Sequence, residues 1–145
     1  MLNCHDVARY FLALNDDGAG DLISNLKLQK LMYYAQGFCL ALYDRPLFSE
    51  RIEAWQHGPV VPELYRAYKE CGAGPIPAPD NLDFSIYSQD ERDLLTEVYE
   101  VYGQFSAWKL RNMTHEEAPW KNMEDTLNSE ITHDSLRQFF KTRLQ

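Results

Sequence analysis

The sequence predicts a mainly α fold: a compact bundle of about five or six helices with a small β element between the second and third. Three observations carry this. Apolar residues recur at three- and four-residue spacing in separate stretches, most clearly from Leu28 to Leu42. Helix-starting signals stand in front of those stretches, as with Asn3, Ser88-x-x-Glu91 and Thr132. Between Phe48 and Trp55 the helical period is lost, and Gly58-Pro59 then breaks the chain.

A first helix is expected from His5 to about Asp16. Asn3 is its cap, Val7, Tyr10, Phe11 and Leu14 its apolar face, and Asp16-Asp17-Gly18-Ala19-Gly20 its end. The second follows Ser24 or Asn25. Leu28, Leu31, Met32, Ala35, Phe38, Cys39 and Leu42 form its stripe, with Lys27, Lys30, Tyr34 and Gln36 away from the centre. Gly37 in mid-helix costs about 1 kcal/mol against Ala, so it implies the close approach of another backbone. Tyr43-Asp44-Arg45-Pro46 is a turn. Phe48–Trp55 reads as a short strand or hairpin, Ile52 and Ala54 on one face and Arg51 and Glu53 on the other. Pro62 suits the first position of a third helix reaching about Glu70 and stopped by Gly72, with Leu64, Tyr65 and Tyr68 inward.

Ala73–Asp80 is a Pro-rich connector, too short to be a domain linker. Ser88-x-x-Glu91 starts a fourth helix carrying Leu94, Leu95, Val98, Tyr99 and Tyr102. A shorter one runs from Ser106 to about Met113. Thr114-x-x-Glu117 reads as a second capping box, limited to a single turn by Pro119. The last helix starts at Thr132, carries Leu136, Phe139, Phe140 and Leu144, and ends in Lys141 and Arg143, which suit its dipole.

The 145 residues make one expected domain, 1–145. At 45% hydrophobic and 13% aromatic the chain folds rather than staying disordered. The net charge of −8 argues against nucleic acid as a partner. Seven acids and a single arginine, Arg92, lie between Ala73 and Glu100 and concentrate that charge. Three cysteines with no C-x-x-C suit a reducing compartment. No signal pattern or membrane-length apolar run is seen, so a cytoplasmic location is expected.

Neither a Gly-rich phosphate loop nor G-x-S-x-G is present. No pair of the histidines His5, His57, His115 and His133 has metal-ligand spacing, and only Cys4-His5 sets a cysteine beside one. No metal, cofactor or catalytic residue is therefore expected. Glu116-Glu117 and Asp90-Glu91 read as acids at helix starts. Trp55 and Trp120 are expected to plug the core through their indole N–H groups. Tyr33, Tyr43 and Tyr87 are candidate surface anchors. Asp90, Asp93, Glu97 and Glu100, at three- and four-residue spacing, form one acidic stripe, and they and Trp108 are the candidate partner-binding residues.

Several blocks have a distinct look: LQKLMYYAQG at Leu28–Gly37, PLF at Pro46–Phe48, IEAW at Ile52–Trp55, HGPVVPELY at His57–Tyr65 and THEEAPW at Thr114–Trp120. Together they resemble the Panacea domain of the SocA-like antitoxins, found in bacterial and phage toxin–antitoxin systems. The resemblance implies an antitoxin, not an enzyme. It would bind a cognate toxin and neutralise it, by direct inhibition or as an adaptor delivering it to an AAA+ protease, in a setting compatible with a prophage. The chain carries no appended helix-turn-helix, so operator binding is not expected. Lys30, Tyr34, Trp55, His57, Tyr65, His115 and Trp120 fall in these blocks without an assigned role. Two other classes remain open on the residues alone: a small enzyme with a pocket around His57 and His115, and a phage structural or interaction module. Oligomeric state is left open.

Overall fold

Helix α2 (Asn25–Tyr43) is the axis on which the rest of the protein is laid. The structure, a computed structural model, describes residues 1–15 and 22–144. Among them are seven α-helices and one three-stranded antiparallel sheet, so the mainly α class holds. The others are α1 (Cys4–Leu14), α3 (Pro62–Ala67), α4 (Gln89–Tyr102), α5 (Ala107–His115), α6 (Ala118–Lys121) and α7 (His133–Lys141). The strands are β1 (Ile52–Trp55), β2 (Gly58–Val60) and β3 (Glu130–Ile131).

Local chemistry sets the helix ends. Asn3 and Asp6 form a reciprocal capping box at α1, with Asp6 N–H on Asn3 Oδ1 at 2.8 Å and Asn3 N–H on Asp6 Oδ2 at 3.0 Å. Ser88 and Glu91 do the same for α4. Ser24, Ser106 and Thr132 cap α2, α5 and α7. α2 stops at Asp44, whose φ of 58° is left-handed. Helix α1 ends with Asn15 as its cap; the expected terminator beyond it lies outside the described residues. α3 is shorter than expected, passing at Tyr68 into a 3₁₀ turn over Lys69–Cys71 before Gly72 at φ 57°.

The β element between α2 and α3 is a hairpin, with Glu53 opposite Val60 and Trp55 opposite Gly58. A third strand joins its other edge, pairing Ile52 with Ile131. Two residues are too few to show a period, which is why β3 is absent from the sequence reading.

α2 departs most from expectation. Leu31, Met32 and Ala35 are fully buried as predicted, but so are Tyr33, Tyr34 and Lys30, and Lys27 and Gln36 are nearly so. Tyr33 is therefore no surface anchor. Helices α1, α4, α5 and α7 and the hairpin surround α2, so it has no solvent side along most of its length. Its buried polar groups hold irregular backbone in place. Gln36 Nε2 donates to Phe48 O at 2.9 Å while its Oε1 accepts from Leu47 N–H at 2.7 Å. Gln29 Oε1 accepts from Val61 N–H at 2.9 Å, and Lys27 Nζ donates to Gly103 O at 2.6 Å. A buried polar group is tolerated when it is hydrogen-bonded, and these side chains satisfy both themselves and the loops.

Gly37 admits a ring and not a backbone: a Cβ there would fall inside Phe140 of α7. Leu42, expected in the stripe, is 48% exposed.

Candidate functional site: a motif cluster and a grooved surface

The sequence blocks converge on the contact between α2, the hairpin, α5 and α6. Lys30 Nζ donates to Pro59 O at 3.0 Å. Its complete burial, with the nearby Arg111 charge adding to the effect, pushes its pKa down to about 7. Gly58 sits directly on it, at φ +109°. Trp120 donates its indole N–H to Trp55 O at 2.8 Å, and Trp55 donates its own to Glu53 Oε1 at 2.9 Å, so both plug the core end as expected. Tyr65 packs edge-on to Trp55, ring centroids 5.1 Å apart.

The THEEAPW block is built differently from expectation. Thr114 does not cap a new helix; it closes α5 and donates its hydroxyl to Arg111 O at 2.8 Å. Glu116 is likewise at the end of α5, not at a helix start. Glu117 precedes α6 with its carboxylate turned inward, accepting from Tyr33 at 2.9 Å and Tyr34 at 3.0 Å. Burial raises its pKa, and the two hydrogen bonds oppose the shift. The tyrosine hydroxyls are raised in turn, by burial first and then by Glu117. The pair explains the Tyr-Tyr of the first block: it gives a buried carboxylate two donors.

His57 and His115 are brought near each other. His115 lies flat on Trp120, rings 3.8 Å apart, and is held below the usual imidazole range by burial and by the charges of Arg111 and Lys30. His57 is exposed, 5.7 Å from the Trp108 ring. The hydroxyl at hand, on Thr114, is already committed to Arg111 O, so the cluster offers no nucleophile–base pair.

The acidic stripe is on the surface. Asp90, Asp93, Glu97 and Glu100 are all exposed on α4, and Glu91 is withdrawn into its cap. Alongside runs an apolar groove of about 510 Å³ between α2, α4 and the end of α7, its lining including Phe38, Leu42, Leu94, Val98 and Val101. Glu97 stands in its wall from the acidic side and Arg143 also lines it. Tyr43 is 39% exposed at the same end, its hydroxyl raised by burial and by Asp90 and Asp93 among its neighbours. Sequence reasoning missed the groove because Leu42, Leu94 and Val98 read there as apolar helix faces turned to the core, and Val101 carried no assignment. Tyr87, in contrast, is buried and donates to Asp6 O at 2.7 Å, so it is not a surface anchor. Trp108 is 54% exposed on α5, under the Arg111 guanidinium at 4.6 Å. It is not in the groove lining.

A profile described as antitoxin SocA-like, Panacea domain, matches residues 28–121. The chain belongs to this family. Its matched region begins in α2 and ends in α6, and contains the whole motif cluster and the acidic stripe. The chain is also similar to antitoxin SocA of Caulobacter vibrioides, 47% identical over 62 residues, which cover 42% of this chain and 33% of that protein. The matched stretch thus spans about a third of the curated relative. No solved structure matches. No helix among the described residues is long and apolar enough to cross a membrane.

Proposed function

We propose that this protein is an antitoxin that binds a cognate toxin protein stoichiometrically and neutralises it, with the α2–α4–α7 groove and its acidic border as the docking surface. Family membership supports the antitoxin class. The observation that carries the docking surface is an exposed apolar groove lying against four exposed acids, in a chain of net charge −8. Apolar area supplies affinity and the acids supply attraction and selectivity, so the fitting partner is a basic protein with an apolar ridge. An enzymatic role is disfavoured by the motif cluster, which joins structural elements and offers no activated nucleophile.

Neutralisation takes one of two forms, direct inhibition or delivery of the toxin to an AAA+ protease. Co-expression with the neighbouring reading frame tests the proposal. That frame should be toxic alone, harmless with this protein, and recovered with it in a one-to-one complex. Leu42→Asp with Val101→Asp should abolish rescue while the circular dichroism spectrum is kept. Full rescue by that double variant would remove the groove. A harmless neighbouring frame that does not bind would remove the antitoxin reading. In a host lacking the ATP-dependent proteases, direct inhibition still rescues, whereas adaptor action does not.

A further inference from the structure

The N-terminal turn of α1 brings together a second set of ligand-type side chains, none of which lines the groove. Cys4 and His5 are adjacent in the chain, and the fold adds Glu63 from the first turn of α3 and Glu50 from the segment before β1. His5 Nε2 is 3.0 Å from Glu63 Oε2. The sulfur of Cys4, the imidazole nitrogen and the Glu63 oxygen all lie within 4.8 Å of one another. Glu50 Oε1 accepts the Cys4 N–H at 2.9 Å, which sets this carboxylate against the same residue.

We propose that Cys4, His5 and Glu63, with Glu50 as the neighbouring fourth donor, form a binding site for a borderline-soft divalent cation, Zn²⁺ being the best match. The donor set is one thiol, one imidazole and carboxylate oxygen, the N/S/O mixture that zinc accepts and that Ca²⁺ or Mg²⁺ does not select. Metal–ligand bonds of about 2.0–2.3 Å place ligand atoms about 3.3–3.8 Å apart on a tetrahedron. The His5–Glu63 separation is already near that value, and the three-atom spread needs about 1 Å of contraction. Entry is open from the Glu63 side, whose side chain is 59% exposed, while Cys4 closes the inner side at 0%.

The electrostatics agree with the geometry. Burial, followed by the two carboxylates, pushes the Cys4 thiol up to about 12. Such a thiol is inert as a nucleophile, but the same negative field attracts a cation. A bound dication reverses the balance and releases the thiol proton to solvent as the sulfur–metal bond forms. Ligands from α1, α3 and the segment before β1 would join the N-terminal helix to the matched core, so metal should also stabilise the fold.

The test uses the whole chain, stripped with chelator and titrated with Co²⁺ and then Zn²⁺ near neutral pH. The expected result is one equivalent of Co²⁺ with a thiolate-to-cobalt charge-transfer band, displaced by Zn²⁺, and a higher unfolding temperature with Zn²⁺. Cys4→Ser should remove the band. His5→Ala and Glu63→Gln, both at solvent-accessible positions, should weaken Zn²⁺ at least tenfold without altering the apo circular dichroism spectrum. Cys71→Ser and His133→Ala should change nothing. Binding that lacks the thiolate band, or that His5→Ala and Glu63→Gln leave unchanged, overturns the proposal, as does a band lost in Cys71→Ser. Because His5→Ala and Glu63→Gln leave the core alone, they decide the matter even if Cys4→Ser fails to fold.

Discussion

Lys30 Nζ lies 3.0 Å from the carbonyl oxygen of Pro59, and this hydrogen bond ties the β-hairpin to the central helix. The residue before that proline must be glycine. Gly58 has φ +109°, and a Cβ there would stand 2.6 Å from Lys30 Cε and 2.9 Å from Thr114 Oγ1. The His-Gly-Pro block, the Lys of the first block and the Thr of the last are thus three sides of one contact.

Gly58→Ala is accordingly expected to destabilise the protein by about 1–3 kcal/mol from backbone strain, with more from the displaced lysine. Urea unfolding measures it. Gly72→Ala is the control: it shares a positive φ, at 57°, but a Cβ there meets nothing within 4 Å. A smaller loss at Gly72 than at Gly58 is the expected order. Equal losses would mean that the contact with Lys30 and Thr114 has no weight.

Lys30 also predicts a pH dependence. Its amine titrates near 7 when folded and near 10.5 when unfolded. Between these values the unfolded chain holds more protons, so this group makes stability rise with pH. Below about pH 7 the amine is charged in both states and its burial penalty is fully felt. The window to use is about pH 7 to 8.5, below the 9.0 from which Cys4 and Cys39 are raised and would act in the opposite sense. Lys30→Met removes the group. Wild type should gain stability relative to the variant across that window, by on the order of 1–2 kcal/mol. A constant difference would show that the buried amine is neutral, or charged, throughout.

Leu31→Ala should cost roughly 2–5 kcal/mol, as a fully buried leucine truncated to a cavity. A near-native unfolding midpoint would contradict the placement of α2 at the centre. Phe38, assigned to the same face from sequence, is only partly buried and lines the groove. Its truncation should cost less stability than that of Leu31.

These residues show what the sequence disclosed and what it hid. Ser88-x-x-Glu91 announces α4 because a capping box is made within four residues, and the structure has both of its hydrogen bonds. The same spacing at Thr114-x-x-Glu117 misleads, because two buried tyrosines from α2 claim the carboxylate. That competition is tertiary and leaves no local mark. The burial of Lys27, Lys30 and Gln36 was hidden for the same reason: each bonds a backbone group remote in sequence, which carries no side-chain signal. The Cys4-His5 pair was visible, but Glu63 is 58 residues from His5 and Glu50 is 46 from Cys4, so no spacing rule joins them. The exposed stripe on α4 was legible, since three- and four-residue spacing alone puts its acids on one face.

That stripe gives the last prediction. Asp93 and Glu97 are exposed, and Glu97 is part of the groove wall. If the groove receives a basic partner, the acids act mainly at long range, raising the rate of encounter more than the lifetime of the complex. Salt should then slow association through screening, since the Debye length falls from about 10 Å at 0.1 M to about 3 Å at 1 M. Dissociation, governed by the apolar contact, should change little. Asp93→Lys with Glu97→Lys should reproduce at low salt the slowing that salt imposes on the wild type, and should flatten its salt dependence. Stopped-flow or surface-based kinetics with the cognate partner separate the two rates. Because both positions are exposed, the fold should survive, and a circular dichroism spectrum confirms that before kinetics are compared. Association that ignores both salt and the double reversal would remove the stripe from recognition. It would leave the apolar groove with Tyr43, or the Trp108 surface beside Arg111, as the face that the partner meets.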